Sequence, residues 1–161
     1  MAITEFFQVL DSELVHLDGH HKINSSATEA CMKPGCAVKF TSGELIETDD
    51  GDTPCGLLYG LHGEAYDYMR NDSKTKYTNF KTGDYVTIVY GGFVAQVSAD
   101  RFTSGSLPSV GNAIYAAVSG LLATSSSSGP QIGQVTALDP VSQADGATAN
   151  VARIRFEIPG F

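Results

Sequence analysis

The stretch from Gly83 to Asp100, GDYVTIVYGGFVAQVSAD, decides how the chain is read. Two apolar, β-rich runs flank Gly91-Gly92, and a two-residue turn at that point needs the positive φ that a residue without a Cβ adopts at little steric cost. With that turn, Val86, Ile88 and Tyr90 fall opposite Val97, Ala95 and Phe93, which makes one face wholly apolar. Tyr85, Thr87 and Val89 fall opposite Ser98, Gln96 and Val94, which makes the other face mixed. A slip of one residue would turn the apolar set to the wrong side, so the same pattern sets the register. The expectation is a central antiparallel hairpin in a small β-barrel or sandwich.

Outward from this stretch the rhythm repeats. Ala37 to Thr41 and Glu44 to Thr48 flank Ser42-Gly43, with Phe40 opposite Leu45, and Asn112 to Val118 and Leu121 to Thr124 flank Ser119-Gly120. Both read as hairpins. Pro54 to Tyr59 and Gln131 to Leu138 read as further strands. Val151 to Ile158 alternates Ala152, Ile154, Phe156 and Ile158 with Arg153, Arg155 and Glu157, the signature of a half-buried closing strand. Between these lie a polar turn at Thr48 to Pro54, a surface turn through DRFTSGSLPSVG ending at Gly111, a flexible loop at Ser125 to Pro130, and an aperiodic segment from Asp139 to Asn150. Leu61 to Lys81 is the longest polar excursion and reads as an inserted loop, of the length that in compact domains is usually functional. The aromatics Tyr59, Tyr66, Tyr68, Tyr77 and Phe80 in and around it form either a recognition surface or a plug at the barrel end.

Residues 1–34 differ from the rest. Phe6, Phe7, Leu10, Leu14 and Leu17 have helical spacing, Val9 and Val15 widen the stripe, and Gly19-His20-His21 stops any helix. A short amphipathic helix and an extended arm are both allowed, and the reading adopted is an N-terminal arm that packs on a neighbour, ahead of a β domain spanning 35–161.

Composition bounds the function. The chain of 161 residues carries 17 Gly and a formal net charge of −8. An acidic balance argues against a nucleic-acid partner, because Lys and Arg neutralising phosphates supply most of that affinity. The N-terminus lacks the basic and apolar regions of a secretory signal, and the longest nearly apolar run, Ala113 to Ala123, is too short to span a bilayer. No nucleic acid and no membrane are therefore expected as partners. Cys31, Cys36 and Cys55 are an odd count; thiols are the simplest reading in a reducing cytosol, with a Cys31–Cys36 bridge or an intermolecular bond formed after release as the candidate disulfides.

No constellation points to catalysis or to a cofactor. His20, His21, Cys31 and Cys36 carry ligand types that zinc accepts, but adjacent histidines diverge and no second cysteine pair follows. Glu47, Asp49, Asp50 and Asp52 lack the order of a calcium loop and read as a solvated turn. There is no G-x-S-x-G and no phosphate-binding glycine loop. The chain is read as a non-enzyme without metal or cofactor.

The order Gly35-Cys36-Ala37-Val38, Gly56-Leu57-Leu58, Gly83-Asp84-Tyr85-Val86, Gly111-Asn112-Ala113-Ile114-Tyr115, Gly120-Leu121-Leu122 and Ile132-Gly133-Gln134-Val135, closed by an alternating strand, resembles small tailed-bacteriophage capsid decoration proteins. The likeness covers residues 35–158 and rests on turn glycines and strand alternation. It implies a β-barrel or β-tulip domain on the outside of an assembled head, made in the host cytoplasm, with major capsid protein as partner and with self-association as a trimer. It also implies an arm that contacts the capsid, for which Phe6, Phe7, Val9 and Leu10 are the candidate residues. Tail-tube, neck and head-completion proteins share the rhythm and are the alternative; a soluble ligand-binding barrel is a third reading.

Overall fold

A computed structural model describes residues 7–10, 16–61, 79–126, 128–142 and 148–158. Among them the strands are β1 (Phe7–Val9), β2 (His16–Lys22), β3 (Ala37–Thr41), β4 (Glu44–Glu47), β5 (Gly56–Leu61), β6 (Tyr85–Tyr90), β7 (Gly92–Val97), β8 (Ala113–Ala116), β9 (Leu122–Ala123), β10 (Gln131–Ser142) and β11 (Thr148–Glu157). Helical structure among these residues is confined to 3-10 turns at Glu29–Cys31, Ala99–Arg101 and Val118–Gly120. The strands make a six-stranded sheet, β1-β7-β11-β10-β8-β9, and a five-stranded sheet, β2-β6-β5-β3-β4. The fold is mainly β and barrel-like.

The expected Gly91-Gly92 hairpin does not form. β6 lies between β2 and β5 in the five-stranded sheet, whereas β7 lies between β1 and β11 in the other. Each strand has only two hydrogen-bonding edges, and remote strands take all four. Gly91, at φ +71°, is instead the corner where the chain leaves one sheet for the other, and its carbonyl accepts the Ile158 N–H at 3.0 Å. Phe93 gains a better partner than Tyr90 would be: it sits opposite Phe156 in the β7–β11 ladder, with ring centroids 4.9 Å apart.

This corner separates the residues that were expected to share one apolar face. Phe93, Ala95 and Val97 pack between the sheets with Phe7, Leu57, Val89, Ile114, Leu122, Ile154 and Phe156. Val86 and Ile88 face a second core with Ile23, Met32, Val38, Leu45, Leu58 and Phe80. The middle of β6 is thus covered on both faces, with Val89 in the first core and Val86 and Ile88 in the second. A parallel bridge between Ile23 and Leu45 draws the two edges of the five-stranded sheet together, so that sheet curls around the second core.

The other local readings fare differently. Ser42 and Gly43 have φ of 50° and 79°, and Phe40 pairs with Leu45 as expected. At Ser119-Gly120 both residues again have positive φ, and Ala117 N donates to Leu121 O at 2.8 Å to close the turn joining β8 and β9. Ala152, Ile154, Phe156 and Ile158 are buried on one face of the closing strand. By contrast, Asp139 to Asn150 is not wholly aperiodic: β10 runs on to Ser142 and pairs there with Thr148. β8 pairs with β10 only as far as Gln134, and β7 reaches β11 only from Ala152 onward, so the far end of this hairpin projects as a two-stranded ribbon.

Within the leader, Phe7–Val9 and His16–Lys22 are strands, and both lie on the chain's own sheets. β1 pairs with β7 and β2 with β6, and Phe7 is only 4% exposed. The boundary at residue 34 therefore does not separate an arm from a domain, because Phe7 gains more by filling the core than by waiting in solvent for a neighbour. Phe6, and residues 62–78 of the expected inserted loop with Tyr66, Tyr68 and Tyr77, lie outside the described residues. Of the remaining aromatics, Phe80 lies in the second core, whereas Tyr59 is partly buried against the core between the sheets.

Candidate functional site

β1 is the outermost strand of the six-stranded sheet. Leu10 N donates to Val94 O at 2.8 Å, so residues 8 and 10 turn their backbone groups toward β7. In an antiparallel ladder that direction alternates, which turns the Val9 N–H and C=O away from the sheet. Of the expected capsid-contact residues, then, Phe7 is corrected to a core residue, Val9 packs partly on the core while offering an outward backbone edge, and Leu10 is 40% exposed. The ribbon of β10 and β11, with Leu138 exposed, is a second projecting element that the sequence reading missed, because Pro140 and Asp139 broke its period.

The histidines do not converge with the cysteines. His20 adopts φ +67° at the irregularity in the β2–β6 register and stacks on Tyr85 with centroids 4.6 Å apart. His21 lies against Phe40 and 2.7 Å from Asp18 Oδ2. Among the described residues no three His, Cys, Asp or Glu side chains come together as a metal would need. In the acidic turn, Asp52 accepts from Lys39 Nζ at 2.6 Å and from the Asp49 N–H, while Glu47 accepts from the Thr28 N–H.

No family model, no curated protein and no solved structure matches this chain.

The three cysteines are free thiols, in unlike surroundings. Burial pushes the Cys36 thiol far up, opposed mainly by the positive charge of Arg101, and its Sγ lies 3.5 Å from Ala37 O as donor. Burial likewise pushes Cys55 up to about 12. Cys31 is only half-buried. Since the thiolate is the reactive form, brief treatment of the native protein with iodoacetamide at pH 8 is expected to modify Cys31 first, and Cys36 and Cys55 only after unfolding. Mass mapping of the labelled peptides checks this; equal labelling of all three would contradict it. Any intermolecular disulfide would accordingly run through Cys31.

Cys31 and Cys36 also line a cleft of about 280 Å³, together with Ala30, Lys33, Asp100, Arg101, Ser119, Gly120 and Leu121. The expected surface turn from Asp100 holds for residues 103–106 and 109–111, which are exposed, and is corrected at its start, where Arg101 and Phe102 are 5% and 3% exposed. Its start is drawn inward by the Phe102–Leu122 bridge and the Thr103 N–H to Leu122 O bond of 2.9 Å. No pattern in the chain marks this cleft, because an isolated Arg in a turn has no period to show that it is buried.

Proposed function

We propose that this chain is a virion structural protein that binds the exterior of an assembled tailed-phage head and stabilises the shell by bridging major capsid protein subunits. The sequence likeness to decoration proteins and the barrel-like fold support this reading, and the observation that carries it is the outward edge of β1. A strand at the margin of a sheet presents unpaired main-chain groups that accept a partner's strand, with affinity from the backbone and specificity from alternate side chains. Binding only the assembled lattice stabilises it by mass action, and many copies around a symmetry axis multiply a modest contact. A net charge of −8 suits an outer surface better than a lumen filled with DNA.

Val9→Pro tests the edge. Proline removes an N–H that faces away from β7, so the internal ladder keeps its bonds while the outer edge loses a donor. Affinity for expanded heads is expected to fall about tenfold, the scale of one or two main-chain hydrogen bonds, with melting little changed. Unchanged binding would refute the edge assignment, and equal addition of the wild-type chain to procapsids and expanded heads would refute the decoration reading. Copy number in purified particles separates a lattice-wide component from a single ring at the neck.

A further inference from the structure

Three turns meet where the sheets adjoin, at residues 29–33, 98–102 and 118–121, and enclose the 280 Å³ cleft. Arg101 is 5% exposed, yet its Nε is buried with no hydrogen-bond partner among the described residues. Its Nη2 stands 3.9 Å from Asp100 Oδ2, which is beyond hydrogen-bond reach. The other oxygen of Asp100 is held instead by a short bond from the Ser98 hydroxyl. A guanidinium is charged at every accessible pH, and leaving even its Nε–H buried without an acceptor is costly.

The geometry points to this cleft as a binding site for an oxyanion, a carboxylate or phosphate group held on the Arg101 guanidinium. The planar fork of Arg matches two oxygens of either group bidentately. Lys33, half-buried, adds a second cation, and Ser119 adds a hydroxyl donor. The volume suits a group of a few heavy atoms and is at the lower limit for drug-sized ligands. Gly120 makes the enclosure close enough to work: a Cβ there would lie 2.2 Å from Cys36 Sγ, so no other residue lets this turn approach. The site stands whether or not the chain binds phage heads.

The test uses the full chain with inorganic phosphate or malonate, each compared with chloride at equal ionic strength. A saturable rise in melting temperature of roughly 3 °C is expected, with about threefold slower alkylation of Cys31 by iodoacetamide as the cleft fills. Arg101→Gln is expected to abolish both effects. Asp100→Asn, which removes the competing carboxylate, is expected to tighten binding several-fold, and it keeps the question decidable should the Arg101 variant fail to fold. A response to phosphate alone assigns a tetrahedral ligand, and a response to malonate assigns a carboxylate. Equal melting in all three salts with an unchanged Cys31 rate in the wild-type chain would overturn the proposal, as would weaker binding in Asp100→Asn.

Discussion

Gly120→Ala is expected to destabilise the protein by about 3–5 kcal/mol, the sum of left-handed backbone strain and of overpacking at a site that cannot relax. Gly120 has φ +67°, and an added Cβ would meet Cys36 Sγ at 2.2 Å and Ala37 O at 2.9 Å. The sulfur belongs to a buried side chain and the oxygen to the backbone leading into β3, so neither moves cheaply. The same turn ties the two sheets: Gly120 N donates to Thr48 O at 3.2 Å, and Thr48 Oγ1 donates to Ala117 O at 2.9 Å. Cys36→Ala on top of Gly120→Ala removes the worse of the two collisions and is expected to recover 1 kcal/mol or more, roughly, as positive coupling in a double-mutant cycle. Urea denaturation of the four proteins measures this. A single-mutant loss below about 1 kcal/mol, within the usual run of point substitutions, would mean that the turn does not press on Cys36 as described.

Where sequence reading succeeded, the controlling interactions are local. Ser42-Gly43 needs two positive φ values, has the residues for them, and joins strands that are each other's neighbours, so Phe40 and Leu45 pair as their spacing demands. The closing strand has one covered face, and period-two alternation then reports burial directly. The Gly91 corner carried an equally strong turn signal and failed, because β2, β5, β1 and β11, from distant parts of the chain, occupy the edges that a hairpin would have used. Apolar residues on both sides of β6 were the available hint: Val89 beside Ile88 has no place in a hairpin with one solvated face, but suits a strand between two cores. Arg101 was illegible for a related reason. Its burial is set by turns 70 residues upstream and 18 downstream, and no local pattern encodes their meeting. Of the contact residues, the backbone edge at Val9 depends on which side of β1 is already paired, which is a fact of register and not of composition.

Phe7→Ala is the second large effect, expected to cost about 3–4 kcal/mol, as truncation of a buried phenylalanine usually does. The ring is 4% exposed, and it lies so near the backbone that a Cβ on Gly35 would touch its Cδ1 at 3.0 Å. Phe7 pairs with Val97, and the residues it would abandon, among them Phe93, Ala95 and Ile154, belong to the core between the sheets. Leu10→Ala is the matched control: at 40% exposure beyond the last ladder pair, it is expected to change stability by no more than about 0.5 kcal/mol. An arm waiting for a partner would give the opposite pattern, with both substitutions silent in the isolated protein and both harmful to binding. With Phe7 integral to the core, denaturation midpoints separate the two variants, and any loss of partner binding by Phe7→Ala should vanish once conditions are chosen so that the variant is fully folded. Equal, negligible midpoint shifts for Phe7→Ala and Leu10→Ala would return the leader to the role of a free arm, and with it would go the claim that β1 offers a fixed edge.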